Sequence, residues 1–131
     1  MSSKMSKATN TLNWFEISVT DIARATKFYE AIFEITMEPF EMMGMKMAVF
    51  PYDNSNGRVG GALVQSQMHK PSSTGAFIYL NANPDMQLVI DRIAKLGGKI
   101  TMPKTLIDEQ TGYMAFFTDT EGNAVGLHSN A

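Results

Sequence analysis

Glu16 is the carboxylate with the most chemical promise in this chain. It stands in the apolar stretch LNWFEISV, between Phe15 and Ile17, so its side chain must meet a cavity, a partner or solvent. Partial burial raises a carboxyl pKa toward neutrality, which suits a general base or a polar anchor for a ligand. The plainer reading is a carboxylate on the open side of a sheet, hydrogen-bonded to a neighbour. His128 closes the apolar run AVGLH and is one of only two histidines. It reads as a ligand contact, a metal ligand or a strand-end residue near water. Paired with Glu16 it would make an acid/base dyad or half of a metal site. Trp14, the only tryptophan, offers a stacking wall for a planar ligand or a core aromatic. Gln65, Tyr113 and Tyr79 carry further polar ends that the same site can use. The other histidine, His69, lies in the polar stretch SQMHKPSSTG beside Lys70 and Pro71, with solvent as its expected partner.

Composition narrows the chemistry. No cysteine is present, which removes thiolate nucleophiles, disulfides and thiolate metal sites and fits a reducing compartment. The net charge is -2 and the basic residues are scattered, so no basic stripe exists to neutralise nucleic-acid phosphates. GRVGG lacks the strand-to-helix context of a phosphate loop, and neither a G-x-S-x-G elbow nor an H-E-x-x-H pair occurs. No apolar run reaches the ~18 residues of a membrane span, and MSSKMSKATN has no apolar signal core. The expectation is a cytoplasmic protein with one domain over 11–131 behind a frayed tail over 1–10. Of its 11 methionines, Met37, Met42, Met43, Met45 and Met47 cluster. They suit irregular core space, a dimer surface or an adaptable pocket wall.

These residues need elements to hold them. Alternation over Leu12 to Val19 predicts a strand. Ile22, Ala25, Phe28, Tyr29, Ile32 and Phe33 recur at helical spacing, and Thr20 or Asp21 can cap that helix. TMEPFEM and MKMAVFP, turning near Gly44, read as a hairpin, and VGGALVQ reads as a fourth strand. Beyond a linker over 67–74 the order restarts with AFIYLNA as a strand. A second helix follows, capped by Asn83, opened by Pro84, buried through Met86, Val89, Ile90 and Ile93, and closed by Gly97. KITMP, YMAFFTD and NAVGLHS supply three more strands, with PKTLIDEQTGY as a charged loop. The chain therefore reads as α+β, two tandem βαβββ modules over about 11–66 and 75–129. A unit of ~55 residues buries too little surface alone. The two are expected to share a curved mixed sheet around an open cleft, or to join a second chain.

In order along the chain, FEISVTDIARATKFYEAIF, GGALV, GGKI and FFTDTEGNAVGL resemble the vicinal oxygen chelate superfamily. That superfamily includes glyoxalase I, extradiol dioxygenases and bleomycin-resistance proteins, and the nearest branch is the small proteins related to lactoylglutathione lyase. The resemblance runs from about Asn13 to Ser129. It implies paired βαβββ modules around a U-shaped cleft, often completed by a homodimer. In metal-dependent members, His, Glu or Gln from the first and fourth strands of each module hold a divalent ion, which chelates two adjacent substrate oxygens. Carried over, those positions fall on Trp14, Ala76, Gly126 and a residue near Gly61. None supplies the imidazole or carboxylate that such an ion wants. Glu16 and His128 stand one strand period further along. The resemblance with a degenerate metal site thus implies a homodimer that binds a small apolar or aromatic molecule without a cofactor. Glu16 would be its catalytic residue, and Trp14, Gln65, Tyr113 and His128 its contacts. The alternative is a metal-dependent lyase or isomerase with a site relocated around Glu16 and His128.

Overall fold

The computed structural model describes residues 4–53 and 55–131. In the first module, β1 (Trp14–Ser18) leads to α1 (Ile22–Phe33), a hairpin of β2 (Glu38–Met42) and β3 (Met45–Val49), and β4 (Gly60–Gln65). In the second, β5 (Tyr79–Asn81) leads to α2 (Met86–Lys95), then β6 (Lys99–Asp108), β7 (Gly112–Thr118) and β8 (Ala124–Ser129). Each module builds a four-stranded mixed sheet, ordered β1-β4-β3-β2 and β5-β8-β7-β6. The first strand of each lies parallel to the last, and the remaining neighbours are antiparallel. The expected α+β class and duplicated βαβββ order are what the chain adopts.

The helix ends explain where the elements stop. Asp21 caps α1, accepting the Arg24 N–H at 3.1 Å. The cap of α2 is Asp85 rather than Asn83, accepting from the Gln87 N–H and from Lys104. Asn83 is spent elsewhere: its side chain donates to Asn81 and accepts from the Asn130 N–H. Gly97, at φ 99, turns the chain so that the Gly98 N–H returns to the Ile93 carbonyl at 3.0 Å. β6 runs on to Asp108, so KTLID is strand where a loop was expected. Its charges misled; Thr105 and Leu106 pair with Met114 and Tyr113.

One core joins the two modules. Phe28, Tyr29 and Ile32 of α1 meet Val89, Ile90 and Ile93 of α2, with Ile17 and Leu63 from the first sheet and Leu80, Phe117, Val125 and Leu127 from the second. Each such side chain contributes roughly 1.5–3 kcal/mol on leaving water. Both sheets turn their helix-side faces to this core, so their other faces point outward. On the first sheet that outward face carries a separate small cluster of Met47, Ala62 and Val64, flanked by Trp14, Met45 and Val49. Among the described residues, no helix is long and apolar enough to cross a membrane.

Candidate functional site

Glu16 stands on the outward face of the first sheet, in register with Ala62. Both of its carboxylate oxygens are held. The Trp14 indole Nε1–H donates to Oε2 at 3.2 Å, from one strand period back along β1. His69 Nε2 lies 2.7 Å from Oε1, and His69 Nδ1 lies 2.7 Å from Ser66 Oγ. The segment after β4 folds back over the sheet to make these contacts. His69, expected in solvent, is the histidine that reaches Glu16, and its side chain is only 16% exposed. The pair is separated by 53 residues, and the polar composition around His69 carries no signal of the contact. Tyr52 meets the Trp14 ring edge-on, with 5.8 Å between centroids, and extends the aromatic wall.

The other expected site residues divide by strand parity. His128 is on the outward face of the second sheet, with Nε2 2.6 Å from the Thr111 carbonyl. A carbonyl only accepts, so Nε2 carries a proton, and in the neutral ring Nδ1 is the acceptor. Glu16 and His128 therefore occupy two faces turned away from each other, and one chain does not bring them together. Gln65 and Tyr113, expected in the cleft, lie on the helix side. Gln65 shares the face of Leu63 and accepts the Ile22 N–H at 2.8 Å, securing the start of α1. Tyr113 packs against the core beneath Lys104, whose ammonium is 4.5 Å from the ring centroid.

The two modules correspond residue by residue. The Val19 N–H bonds to the Val64 carbonyl as the Ala82 N–H bonds to that of His128. Glu16 opposite Ala62 then matches Tyr79 opposite Gly126, and Trp14 matches Phe77. The metal positions implied by the resemblance become Trp14, Ala62, Phe77 and Gly126, which fixes the position near Gly61 at Ala62 and moves Ala76 to Phe77. An indole N–H, a methyl, a phenyl ring and a bare glycine offer a cation no lone pair. Around Gly126 the space itself is taken: a Cβ there would stand 2.7 Å from Tyr79 Cδ2 and 3.0 Å from Phe77 Cε2. Phe77, Tyr79 and Phe116 pack edge to face, with 4.7 Å between the Phe77 and Phe116 centroids. Among the described residues, no group of three or more His, Cys, Asp or Glu side chains is placed to hold a metal ion.

The turn Asp119 to Asn123 has a different task. The Glu121 side chain is fully covered, and it accepts the N–H groups of Thr20 and Asp21 at 2.9 Å, Thr20 Oγ1 at 2.8 Å and Arg24 Nε at 2.7 Å. Burial pushes its carboxyl up, but Arg24, Thr20 and the Asp21 N–H together outweigh burial and hold the pKa at about 2. The Tyr29 hydroxyl donates to Asp119 at 2.8 Å, its pKa raised by burial and by the nearby carboxylates. Asn123 donates to the Ser18 carbonyl at 2.7 Å. This turn clasps the second module to the start of α1.

A cavity of about 820 Å³ opens elsewhere, on the helix side between the edges of β1 and β5, lined by Phe15, Phe33, Ile78, Leu80 and Leu88. Glu16, Trp14, His69 and His128 do not line it. Its cation, Arg92, is taken up by the Ile32 carbonyl at 3.0 Å and by Glu34 at 3.3 Å. Its carboxylates are taken up too, Glu34 by Arg92 and Asp85 by Lys104 and the Gln87 N–H, so it reads as a seam between the modules.

Comparison with known proteins matches residues 11–127 to the Glyoxalase/Bleomycin resistance protein/Dioxygenase superfamily. The chain belongs to this family. Within it, "Putative glyoxylase CFP32" of Mycobacterium bovis and of Mycobacterium tuberculosis is 30% identical over 119 residues, covering 89% of this chain. Those residues are 44% of the relative, so the chain spans under half the length of the curated relatives it matches. The glyoxylase/bleomycin resistance protein/dioxygenase domain from Frankia sp. EAN1pec superposes with a TM-score of 0.71 at 15% identity, over 95% of this chain and 100% of that one. Glyoxalase I from Zea mays superposes with a TM-score of 0.65 at 20% identity, over 90% of this chain and 45% of that one. At these identities the two structures speak for the fold.

Proposed function

We propose that this glyoxalase-family chain binds a small, largely apolar or aromatic molecule on the outward face of its first sheet. It does so without a metal, in the cytoplasm, with a second copy of the chain closing the site. The observation that carries this reading is an oriented carboxylate, Glu16, beside an apolar cluster of Trp14, Met45, Met47, Val49, Ala62 and Val64 on the same face. An apolar wall with a few placed polar groups is the usual make-up of a small-molecule site, and methionine lets the wall adapt. The second sheet offers the complementary half: Phe77, Tyr79 and Phe116, with His128 Nδ1. Only a partner copy can set that half opposite Glu16, since the two faces of one chain point apart. As a lyase- or isomerase-type catalyst, the site would use Glu16 to take a proton from the bound molecule.

Trp14 is the only tryptophan, so its emission reports directly on the face. Titration with the neutral dye N-phenylnaphthylamine is expected to quench Trp14 saturably. Glu16→Gln is expected to weaken the dye about tenfold, the loss of one charge-assisted hydrogen bond. No saturable quenching, or an unchanged affinity in Glu16→Gln, contradicts the reading.

A further inference from the structure

We propose that His69 is the positioning residue of the Glu16 site, fixing that carboxylate in one orientation from a segment outside the sheet. The role rests on reading the outward face as a ligand site. Hydrogen-bond directions carry the argument. Ser66 Oγ receives two backbone N–H groups, from Met68 at 3.1 Å and His69 at 3.2 Å, which occupy both of its lone pairs. Its own O–H is then free to donate, and His69 Nδ1 at 2.7 Å is the acceptor in reach. With Nδ1 accepting, the neutral ring carries its proton on Nε2, and Nε2–H donates to Glu16 Oε1 at 2.7 Å. Trp14 has only an N–H to give, and it goes to Oε2. Every proton in the chain from Ser66 through His69 to Glu16, and from Trp14 to Glu16, then has one consistent place. Both carboxylate oxygens are then acceptors, each held by its own donor.

The same contacts stop Glu16 from rotating. A group fixed before the ligand arrives does not have to be ordered on binding, which is how preorganisation strengthens affinity. The groups facing the imidazole are Glu16 from β1 and Ser66 from its own segment, with exposed Lys70 next in the chain. On this side β3 and β4 present Met45, Met47, Ala62 and Val64, none of which titrates; Tyr52 meets the Trp14 ring, and Glu38 of β2 shares the face beside Val49. His69→Ala and His128→Ala therefore have to separate a response carried through the shared carboxylate from one arising elsewhere on the face.

A single tryptophan gives a single indole N–H resonance. In nitrogen–proton spectra of the full chain, that resonance is expected to shift with pH across the range where imidazoles ionise. The shift is expected to disappear in His69→Ala and to persist in His128→Ala. Ser66→Ala removes the O–H that orients the ring and is expected to move the indole resonance toward its position in His69→Ala. His69→Gln keeps an N–H donor and is expected to restore the indole position and the dye affinity that His69→Ala loses several-fold. A resonance indifferent to His69, or a shift lost in His128→Ala instead, overturns the proposal. Equal dye affinity in wild type and His69→Ala also overturns it, while leaving the face a ligand site. No dye binding to wild type sinks the ligand reading, and the indole titration then still decides whether His69 holds Glu16.

Discussion

Carboxylates in this chain earn their roles from their neighbours, and Glu121 and Glu16 show the contrast. Glu121 is surrounded by donors that hold its pKa near 2, against 4.5 for a free glutamate. A pKa depressed in the folded state adds stability above the unfolded value and loses it as pH falls through the folded one. Wild type is therefore expected to lose on the order of 2 kcal/mol between about pH 4.5 and 2 through this group alone. Glu121→Gln is expected to be weaker by a similar amount at pH 7, with a flatter acid limb, in urea unfolding followed at several pH values. Equal stability and an equal slope would show that the clasp contributes nothing. Glu16 was legible as a carboxylate to watch because polar residues in apolar strands need a reason. Its true partner was not legible: His69 comes from 53 residues away, and only the folded path of the linker joins them.

At the level of strands and helices, the periodic segments were readable and the faces less so. Helical spacing located α1, and alternation located β1 and β8. Gln65 and Tyr113 were misplaced because side chains alternate, so a one-residue error in register moves a residue to the opposite face. The same ambiguity left one metal-equivalent position near Gly61, which the register fixes at Ala62, and put the other at Ala76 instead of Phe77. Only the main-chain pairing of Val19 with Val64 and of Ala82 with His128 fixes that register. The shared core also yields a prediction at this scale. Ile93 of α2 is fully buried against both modules, and Ile93→Ala is expected to cost about 2–5 kcal/mol. Trp14 emission, which reports the first module, is expected to shift to lower denaturant together with the circular dichroism. If Trp14 keeps its wild-type transition while the helical signal moves, the modules are separate folding units.

Across the whole molecule, the shared core lies between the two sheets and their other faces point outward. In the proposed site, the aromatic half of a second chain would close over Glu16, Trp14 and the methionines of one face. The family resemblance was readable from short motifs, yet the turn that carries much of it serves as a clasp between modules. What replaces the inherited metal positions is an indole, a methyl, and aromatic rings crowding a glycine. Native mass spectrometry of the purified chain, run with the dye before and after chelation, tests this account most directly. The predicted result is a dimer of metal-free chains that binds the dye equally well in both samples. One tightly bound divalent ion per chain, whose removal abolishes dye binding, would contradict it.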